Sequence, residues 1–462
     1  MLQKKTEIKH NLNIIIVGLG KVGGTLVEQL SKEGNDITVI DKDPAAVQSM
    51  SSIYDVMGII GNGASYSIQM EAGIENCDLF IAVTESDELN LLCCTVAKRV
   101  SNCSAIARVR TPDYSNEVEY LREKLGLTMI INPDLEAAKE VARILYLPAT
   151  LEVSSFAHGQ AEMVKFKIPE GNILANLPIS QLGKAVSHKV LICAVERDGE
   201  VFIPSGNFVL EEGDIISYVA NRKVAKQFLN ALGFNTRQVK NTMIIGGGTS
   251  AQYLADKLIH SGVSVKIIER DRARCEELSL LLPKAIIING DGTDEELLKE
   301  EGIQSAESFV PLTGIDEENI MLTLFARQVS NAKVVTKINH ITFKNVISNL
   351  DLGSIFYPRY ITSEAIIAYA RAKKNSLGSN IETLYHMFDA QVEAIEFRVR
   401  NASKVTNTPL MELSLKKNLL ITFINRNGSI IIPSGQDSIH VGDTVMVVTT
   451  HTGFNDILDI LE

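Results

Sequence analysis

The chain has 462 residues, of which 45% are hydrophobic and 22% charged, so it is long enough for several globular domains. Its formal net charge of −11 argues against a nucleic-acid-binding protein, which would need a basic surface. No apolar run approaches the roughly 18 residues of a membrane helix, and residues 1–10 lack the apolar segment of a signal peptide, so we expect a cytoplasmic protein.

Residues 13–41 predict a βαβ unit that binds a dinucleotide or an adenine nucleotide. An apolar strand at 14–17 leads into a glycine turn, a helix that stops at Gly34, and a second strand that ends on Asp41. The turn glycines would allow a tight turn, close approach of backbone to a pyrophosphate, and close packing of helix on strand. They are Gly18, Gly20 and Gly23. A carboxylate at Asp41 can accept from both ribose hydroxyls and would repel a 2′-phosphate, which favours NAD or an adenosine nucleotide over NADP.

The next 70 or so residues continue the same pattern of strands separated by helices, which implies a parallel sheet with right-handed crossovers. Predicted strands at 79–83 and 105–109 flank a helix that opens with acidic and hydroxyl residues. Ser86, Asp87 and, in the second half, Asp316 suit a helix N-terminus as caps or dipole partners. Ligands bind such sheets at the carboxyl ends of the strands, and the residues expected there converge on one crevice. These residues are Asp41, Gly61, Asn62, Gly63, Thr84 and Arg108.

The second half of the chain repeats the first. Gly246 follows Gly18 by 228 residues, as Glu269 follows Asp41, and later pairs such as Thr84 with Thr313 are separated by 229. One inserted residue accounts for the change, and the period indicates two copies of one two-domain unit.

Each glycine-rich half is followed by a smaller region, and the two regions are also alike. They contain CAVERDGEVFIPSG and TFINRNGSIIIPSG, with a Gly-Asp pair further on in each. Short alternating strands around Asp-Gly and Asn-Gly turns predict small antiparallel sheets with one or two helices. We expect the Pro-Ser-Gly turns and Gly-Asp pairs to be structural, and SQLGKAVSHK and MELSLKKN to be solvated amphipathic helices.

The expected fold class is therefore α/β, with two doubly wound Rossmann-like parallel-sheet domains, each followed by a small α+β domain. The predicted domains are 1–147, 148–233, 239–376 and 377–462. Six cysteines without a CxxC pair are expected to be reduced and packed as small hydrophobes, although a redox role for the adjacent Cys93 and Cys94 stays open. The eight scattered histidines predict no metal site.

The ordered set GLGKVGGTL with Asp41, AVTESDELN, IARVRTP, a second glycine turn and two IPSG modules resembles the tandem RCK (also called KTN) family of Trk-system potassium-uptake regulators. The resemblance covers essentially the whole chain. It implies a cytosolic subunit, peripheral at the inner face of the membrane, that docks under a Trk- or Ktr-type potassium-translocating subunit. Such a subunit would bind NAD(H) or ATP and ADP and gate ion flow. A ring of eight RCK domains, two per chain, would be a homotetramer.

The resemblance also implies two nucleotide sites. The first would use Gly18, Leu19, Gly20, Lys21, Val22 and Gly23 for the phosphates, Asp41 for the ribose, Thr84 and Glu85 beside the base or ribose, and Arg108 near the phosphates. The second would use Gly246, Gly247, Gly248, Thr249, Ser250, Glu269, Thr313, Gly314 and Lys337.

The second site departs from a full fingerprint. Ala251 replaces the third glycine, Lys337 replaces an arginine, and Pro311 stands inside an expected central strand, where it would remove a hydrogen-bond donor. In the first half, Asn62 stands where many family members have an aspartate, which Asp291 keeps in the second. The second site is either a weaker or different nucleotide site or a mainly structural copy.

Two other functions remain open. An NAD-dependent oxidoreductase would need a proton-transfer residue beside the nicotinamide, and the small repeated modules offer no such cluster. A nucleotide-sensing scaffold for another partner would share every motif above. We expect a regulatory protein rather than an enzyme, with no catalytic residues.

Overall fold

The computed structural model describes residues 11–115, 117–186, 188–339, 347, 350–374, 379–388 and 391–462. It divides into two compact units. Unit 1 comprises Met1–Pro133, Arg359–Leu384 and Gly453–Ile457, and unit 2 comprises Asp134–Pro358, Tyr385–Thr452 and Leu458–Glu462. The predicted domain boundary at 376/377 lies outside the described residues. Among the helices that the structure describes, none combines the length and apolar character that crossing a membrane requires.

The first half forms a six-stranded parallel sheet. Its strands are β1 (Asn13–Val17), β2 (Asp36–Asp41), β3 (Met57–Ile60), β4 (Leu79–Ala82), β5 (Ser104–Arg108) and β6 (Met129–Ile131). The helices are α1 (Lys21–Lys32), α2 (Pro44–Ile53), α3 (Tyr66–Glu71), α4 (Asp87–Val100), α5 (Pro112–Ser115), α6 (Val118–Leu125) and α7 (Pro133–Tyr146). The strand order is β3-β2-β1-β4-β5-β6, so the order in which successive strands are added across the sheet reverses between β1 and β4, although all strands are parallel. A ligand crevice is expected at that reversal, beyond the carboxyl ends of the strands.

Burial explains why the central strands are almost entirely apolar. All four residues of β4 and four of the five in β1 are buried, as is usual for parallel strands covered on both faces. The cysteines of this half pack into the same core, with Cys93 and Cys94 fully buried on the inner face of α4. All six cysteines are buried, as expected for thiols packed as small hydrophobes, and none is paired with another in this structure.

The first small domain is a five-stranded antiparallel sheet. It contains β7 (Glu152–Phe156), β8 (Ala161–Lys167), β9 (Leu191–Arg197), β10 (Glu200–Phe202) and β11 (Ile215–Asn221), in the order β10-β9-β11-β8-β7. Two helices accompany it, α8 (Leu182–Ala185) and α9 (Arg222–Ala231). The helix predicted from SQLGKAVSHK is present only as a 3₁₀ turn followed by the four residues of α8.

The second half repeats the six-stranded sheet. Its strands are β12 (Asn241–Ile245), β13 (Ser264–Glu269), β14 (Ile286–Asn289), β15 (Ser308–Pro311), β16 (Lys333–Lys337) and β17 (Ser354–Phe356), ordered β14-β13-β12-β15-β16-β17. Its helices are α10 (Thr249–His260), α11 (Arg272–Leu281), α12 (Glu295–Glu300), α13 (Asp316–Val329) and α14 (Pro358–Lys374).

Pro311 ends β15, and the pairing of that strand is correspondingly short. Two residues of β15 pair with β16, from Ser308 to Phe309, whereas four residues of β4 pair with β5. Proline lacks the N–H that would continue the ladder, so the loss of a donor expected from the sequence coincides with this shortening.

The second small domain repeats the antiparallel sheet. Its strands are β18 (Ser379–Met387), β19 (Val392–Val399), β20 (Leu419–Arg426), β21 (Ser429–Ile431) and β22 (Thr444–Thr449), ordered β18-β19-β22-β20-β21. The predicted fold class is thereby confirmed. The helix predicted from MELSLKKN was wrong: the segment has one 3₁₀ turn, Leu410–Glu412, followed by irregular backbone, because its apolar residues lack helical spacing.

Each compact unit contains one helix that follows the other parallel sheet in the sequence. In unit 1, α14 packs on the first sheet, where Arg371 pairs with Glu33 at 2.5 Å and Tyr369 bonds Ser104 at 2.8 Å. In unit 2, α7 packs on the second half, where the Ser250 hydroxyl donates to the Asp134 carboxylate. Each parallel sheet is thus covered by a helix that follows the other sheet in sequence.

Candidate functional site

The first glycine turn has the geometry of an anion-binding helix start. Gly18 has φ +96°, a left-handed conformation that favours glycine. A Cβ on Gly23 would lie 1.9 Å from the Gly18 carbonyl oxygen, so this position also excludes a side chain. Gly20 precedes α1 without a side-chain cap, and a Cβ placed on it would have no atom within 4 Å. The first N–H groups of α1 therefore have no side-chain cap, and the space beside Gly20 is open.

Asp41 is held beside this turn. Its Oδ2 accepts from the Leu19 N–H at 2.6 Å and its Oδ1 accepts from the Asp43 N–H at 3.0 Å. The half-buried carboxylate at the end of β2 is therefore already oriented toward the crevice, where a ribose would lie. Lys21 and Val22 begin α1, and Leu19 is buried beneath the turn.

Thr84 and Arg108 end the two neighbouring strands, and a buried asparagine joins them. Asn90 is 0% exposed; its Oδ1 accepts from the Thr84 N–H at 2.8 Å and from the Thr84 hydroxyl at 2.7 Å. Its amide nitrogen donates to the carbonyls of Thr84 and Arg108 at 3.1 and 2.9 Å. The Thr84 hydroxyl is therefore occupied by the protein, and Glu85 beside it is exposed. The recurrence of Asn90 as Asn319 was visible in the sequence, but its bridging role was missed.

Asp87 has a role that the cap prediction did not anticipate. Ser86 caps α4 by accepting from the Leu89 N–H at 3.1 Å. The Asp87 carboxylate instead accepts from the N–H groups of Arg110 and Thr111 at 2.9 and 2.8 Å. Asp316 likewise lies in the first turn of α13 rather than at its cap, and accepts from the N–H of Asn339 at 2.9 Å. Each acid fixes the loop after the next strand at the mouth of its crevice.

Replacing Asn90 with alanine is expected to lower the local stability of the crevice by about 2 kcal/mol, because four partly buried backbone and hydroxyl groups lose their hydrogen bonds to its side chain. Hydrogen exchange of peptides spanning 79–115 would measure this, together with nucleotide titration. The matched Asn319→Ala variant should lower the local stability of residues 308–339 by a similar amount and leave nucleotide binding to the first crevice unchanged. Equal exchange in the wild type and Asn90→Ala would contradict the bridge.

The second glycine turn has the same backbone geometry as the first, but an arginine side chain of this half contacts it. Gly246 has φ +93°, Gly248 starts α10 without a side-chain cap, and the Gly247 N–H donates to Glu269 at 2.6 Å. Arg274 of α11, however, donates to the Gly247 carbonyl at 2.7 Å and to Gln252 at 2.9 Å. The corresponding residue of α2 is Ala46, so the first half has no side chain reaching over its turn from this position.

Other predicted residues of the second crevice are also engaged within the chain. The Ser250 hydroxyl bonds Asp134, the Thr313 hydroxyl donates to Asn319 at 2.9 Å, and the Lys337 ammonium donates to the Thr313 carbonyl at 3.3 Å. Thr249 is half-buried in the first turn of α10, and Gly314 is exposed. The second set of residues thus lies at the point where the strand order of its sheet reverses, as the first set does. More of its polar groups are already hydrogen-bonded within the chain.

The structure therefore brings each predicted set together at the carboxyl edge of its own sheet. Which of these residues bind a ligand stays a prediction. Within the ranges that the structure describes, no group of three or more His, Cys, Asp and Glu side chains could hold a metal ion.

Family models match most of the chain. The TrkA-N domain matches residues 14–133 and 242–358, and the TrkA-C domain matches residues 163–233 and 394–462. The four matches alternate along the sequence in the order in which parallel and antiparallel sheets alternate.

Curated relatives match nearly end to end. The Trk system potassium uptake protein TrkA of Haemophilus influenzae is 31% identical over 440 residues, which are 94% of this chain and 95% of the relative. The Trk system potassium uptake protein TrkA homolog of Archaeoglobus fulgidus is 30% identical over 436 residues, 94% of this chain and 97% of the relative.

Solved structures share the fold at low identity. The structure described as GsuK channel bound to NAD has a TM-score of 0.63 at 17% identity, covering 97% of this chain and 78% of that one. The GsuK RCK domain has a TM-score of 0.62 at 17% identity, covering 97% and 93%.

Proposed function

The chain belongs to the TrkA family of Trk-system potassium-uptake proteins, and on that premise we propose that it is a nucleotide-sensing regulatory subunit that gates a membrane potassium-translocating subunit. The subunit it docks on is of the Trk or Ktr type, and the protein works in the cytoplasm, peripheral to the inner face of the membrane. It senses nucleotide rather than transforming it.

The first crevice is the observation that carries this proposal. Three features meet there: a helix start without a side-chain cap, a carboxylate held beside the turn, and strand ends tied together by Asn90. Helix N-termini attract anions through their free N–H groups and dipole. The acid at Asp41 favours NAD(H), with ATP and ADP as the alternative ligands, over a ligand that bears a 2′-phosphate. That a GsuK channel is described as bound to NAD supports the first of these.

We propose further that the second crevice binds nucleotide more weakly or serves as a structural copy. Arg274 lies across the Gly247 carbonyl, and the side chains of Ser250 and Lys337 already have partners within the chain. A nucleotide entering there would have to displace charged hydrogen bonds, each worth about 1.5 to 3 kcal/mol.

Nucleotide binding would be transmitted through α1. This 12-residue helix begins at the phosphate position and ends at Glu33, which Arg371 and Lys374 of α14 hold at 2.7 and 2.8 Å. A rigid helix of that length spans about 18 Å. A nucleotide that favours one position of α1 would therefore shift the equilibrium between two arrangements of the assembly in proportion to its differential affinity.

Asp41→Asn is expected to weaken NADH binding by about 1 to 3 kcal/mol, or roughly 5- to 150-fold in Kd, because the charged contact to the ribose is lost while one acceptor oxygen remains. Calorimetric titration of the full chain with NADH, NAD, ATP and ADP would measure it. Glu269→Gln is the matched control in the second crevice. Loss of binding in both variants would mean two working sites, and unchanged titration of Asp41→Asn would remove the ribose assignment.

A second readout of the same variant tests the regulatory role. In liposomes that contain the potassium-translocating subunit, nucleotide should change potassium flux with wild-type protein and not with Asp41→Asn, while nucleotide-free flux stays equal. If nucleotide changed the potassium flux with neither protein, the gating role would be rejected and a nucleotide-binding scaffold would remain.

We propose a homotetramer, and exposed apolar side chains that recur in both halves support self-association. Leu92 on α4 is 52% exposed and its counterpart Met321 on α13 is 64% exposed; Met57 and its counterpart Ile286 are each 55% exposed. Light scattering should give four times the 50.6 kDa chain mass for the wild type and a smaller mass for Leu92→Glu/Met321→Glu. Ile173→Glu, at a similarly exposed site, is the control and should stay tetrameric. A wild-type monomer would count against the assembly.

A further inference from the structure

A cavity in the first small domain combines cations with an aromatic ring. Its volume is about 460 Å³, within the range of small-molecule sites. Tyr146 from the end of α7, Glu162 from β8, and Arg222, Lys223 and Lys226 from α9 line it. Neither glycine turn contributes to it.

The side chains that line the cavity carry a net positive charge, although the chain as a whole is acidic. The Arg222 guanidinium and the Lys226 ammonium lie 5.5 and 5.1 Å from the centre of the Tyr146 ring. The one acid in the lining, Glu162, is 7% exposed and lies 3.4 Å from Arg222. Burial raises the pKa of the Glu162 carboxyl, and its charge is opposed by the neighbouring Arg222.

The three cations of this cavity have no counterparts in the second small domain. Glu162 pairs across the sheet with Ala220, and Glu393 pairs with Thr449, so the two buried acids occupy equivalent positions. The buried acid recurs, but the cations do not. In the second half, the places of Arg222, Lys223 and Lys226 are taken by His451, Thr452 and Asn455.

We propose that this cavity is a second ligand site, which binds the phosphate group of a phosphate monoester whose organic part lies against Tyr146. A planar guanidinium can bind two phosphate oxygens at once, and the lysine ammonium groups add point charges beside it. Tyr146 is 37% exposed, so the part of its ring that Arg222 and Lys226 leave uncovered offers apolar surface at the same mouth. The proposal is independent of the nucleotide crevice, because none of its residues lies at a glycine turn.

The monoester has two possible sources, a soluble metabolite or the headgroup of phosphatidic acid. The test uses phenyl phosphate and inorganic phosphate as soluble probes, titrated calorimetrically into the full chain at constant ionic strength. Phenyl phosphate should bind more tightly than inorganic phosphate. Tyr146→Leu should abolish that difference, and Lys226→Gln should weaken both probes about five- to tenfold. Lys284→Gln, which removes one charge from an exposed site elsewhere, should change neither.

Sedimentation with phosphatidic-acid vesicles separates the two sources. Cosedimentation that Lys226→Gln abolishes and Lys284→Gln preserves would identify the lipid headgroup, whereas soluble binding without cosedimentation would identify a metabolite. Circular dichroism of each variant checks that the fold is retained. Equal affinities of Lys226→Gln and Lys284→Gln for every probe, or no binding by the wild type, would overturn the site.

Discussion

Gly23→Ala is expected to weaken nucleotide binding in the first crevice and to destabilise the first parallel-sheet domain by about 3 kcal/mol, because this turn, unlike the second turn with its Ala251, is packed around a glycine. The added Cβ would lie 1.9 Å from the Gly18 carbonyl oxygen and 3.0 Å from its carbon, both of them backbone atoms that cannot rotate away. Relief requires α1 to move off the strand, and overpacking of this kind costs about 1 to 3 kcal/mol or more. The same movement displaces the N–H groups that would hold the phosphates.

Gly20→Ala separates binding from folding. A Cβ on Gly20 has no atom within 4 Å and the residue has φ −66°, so this variant should fold as the wild type does. It should still bind nucleotide more weakly, because the methyl group occupies the space where phosphates approach. Hydrogen exchange of peptides over 13–41 reports stability and calorimetry reports binding. If peptides over 13–41 exchanged at the same rate in Gly23→Ala and Gly20→Ala, the close approach of Gly23 to the Gly18 carbonyl would not determine the stability of the turn.

Asp214→Ala should be the most damaging substitution in the first small domain, with a loss of about 3 kcal/mol. Asp214 is 1% exposed and accepts from Arg197 at 2.7 and 2.8 Å and from the Glu211 N–H at 2.8 Å. Removing one partner of a buried ion pair typically costs about 3 to 5 kcal/mol, and the lower end applies because Arg197 is 27% exposed and can be rehydrated. Hydrogen exchange over 191–221 would measure the loss.

Glu211→Ala is the matched control for Asp214. Its carboxylate lies 2.6 Å from the same Arg197 but is 53% exposed, so the pair contributes less than about 1 kcal/mol. Nucleotide titration should be unchanged in both variants, since neither residue is near a glycine turn. Comparable losses in the two variants would mean that the buried position of Asp214 does not matter.

Local patterns were enough to predict the elements and their duplication. The glycine spacing, the run of apolar residues in β1 and the acid at Asp41 belong to one stretch of 29 residues, and the second copy repeats them at a constant separation except for the third glycine, which is Ala251. The Gly-Asp pairs were predicted to be structural, and Asp214 and Asp443 are accordingly buried partners of Arg197 and Arg426. These features depend on neighbours in sequence or on simple strand alternation.

Features that depend on distant contacts could not be predicted in the same way. Arg274 reads as an ordinary helical residue until α11 places it over the Gly247 carbonyl. Asn90 reads as one more polar residue in a helix until β4 and β5 bring two strand ends to it. The positions of α7 and α14 follow from which sheet each helix covers, and no spacing along the chain encodes that choice.

The exchange of α7 and α14 has a consequence for how this protein can be divided or can evolve. A fragment ending after the first small domain would keep α7 without the Ser250 that it contacts, and would lack the Tyr369, Arg371 and Lys374 that cover its own sheet. Two separate copies of such a fragment could complete each other only if the helix of each packed on the sheet of the other. In a single polypeptide this exchange takes place within one chain. The ligand-binding residues of the two halves can therefore change independently, whereas the residues that contact α7 and α14 must remain compatible with the other half.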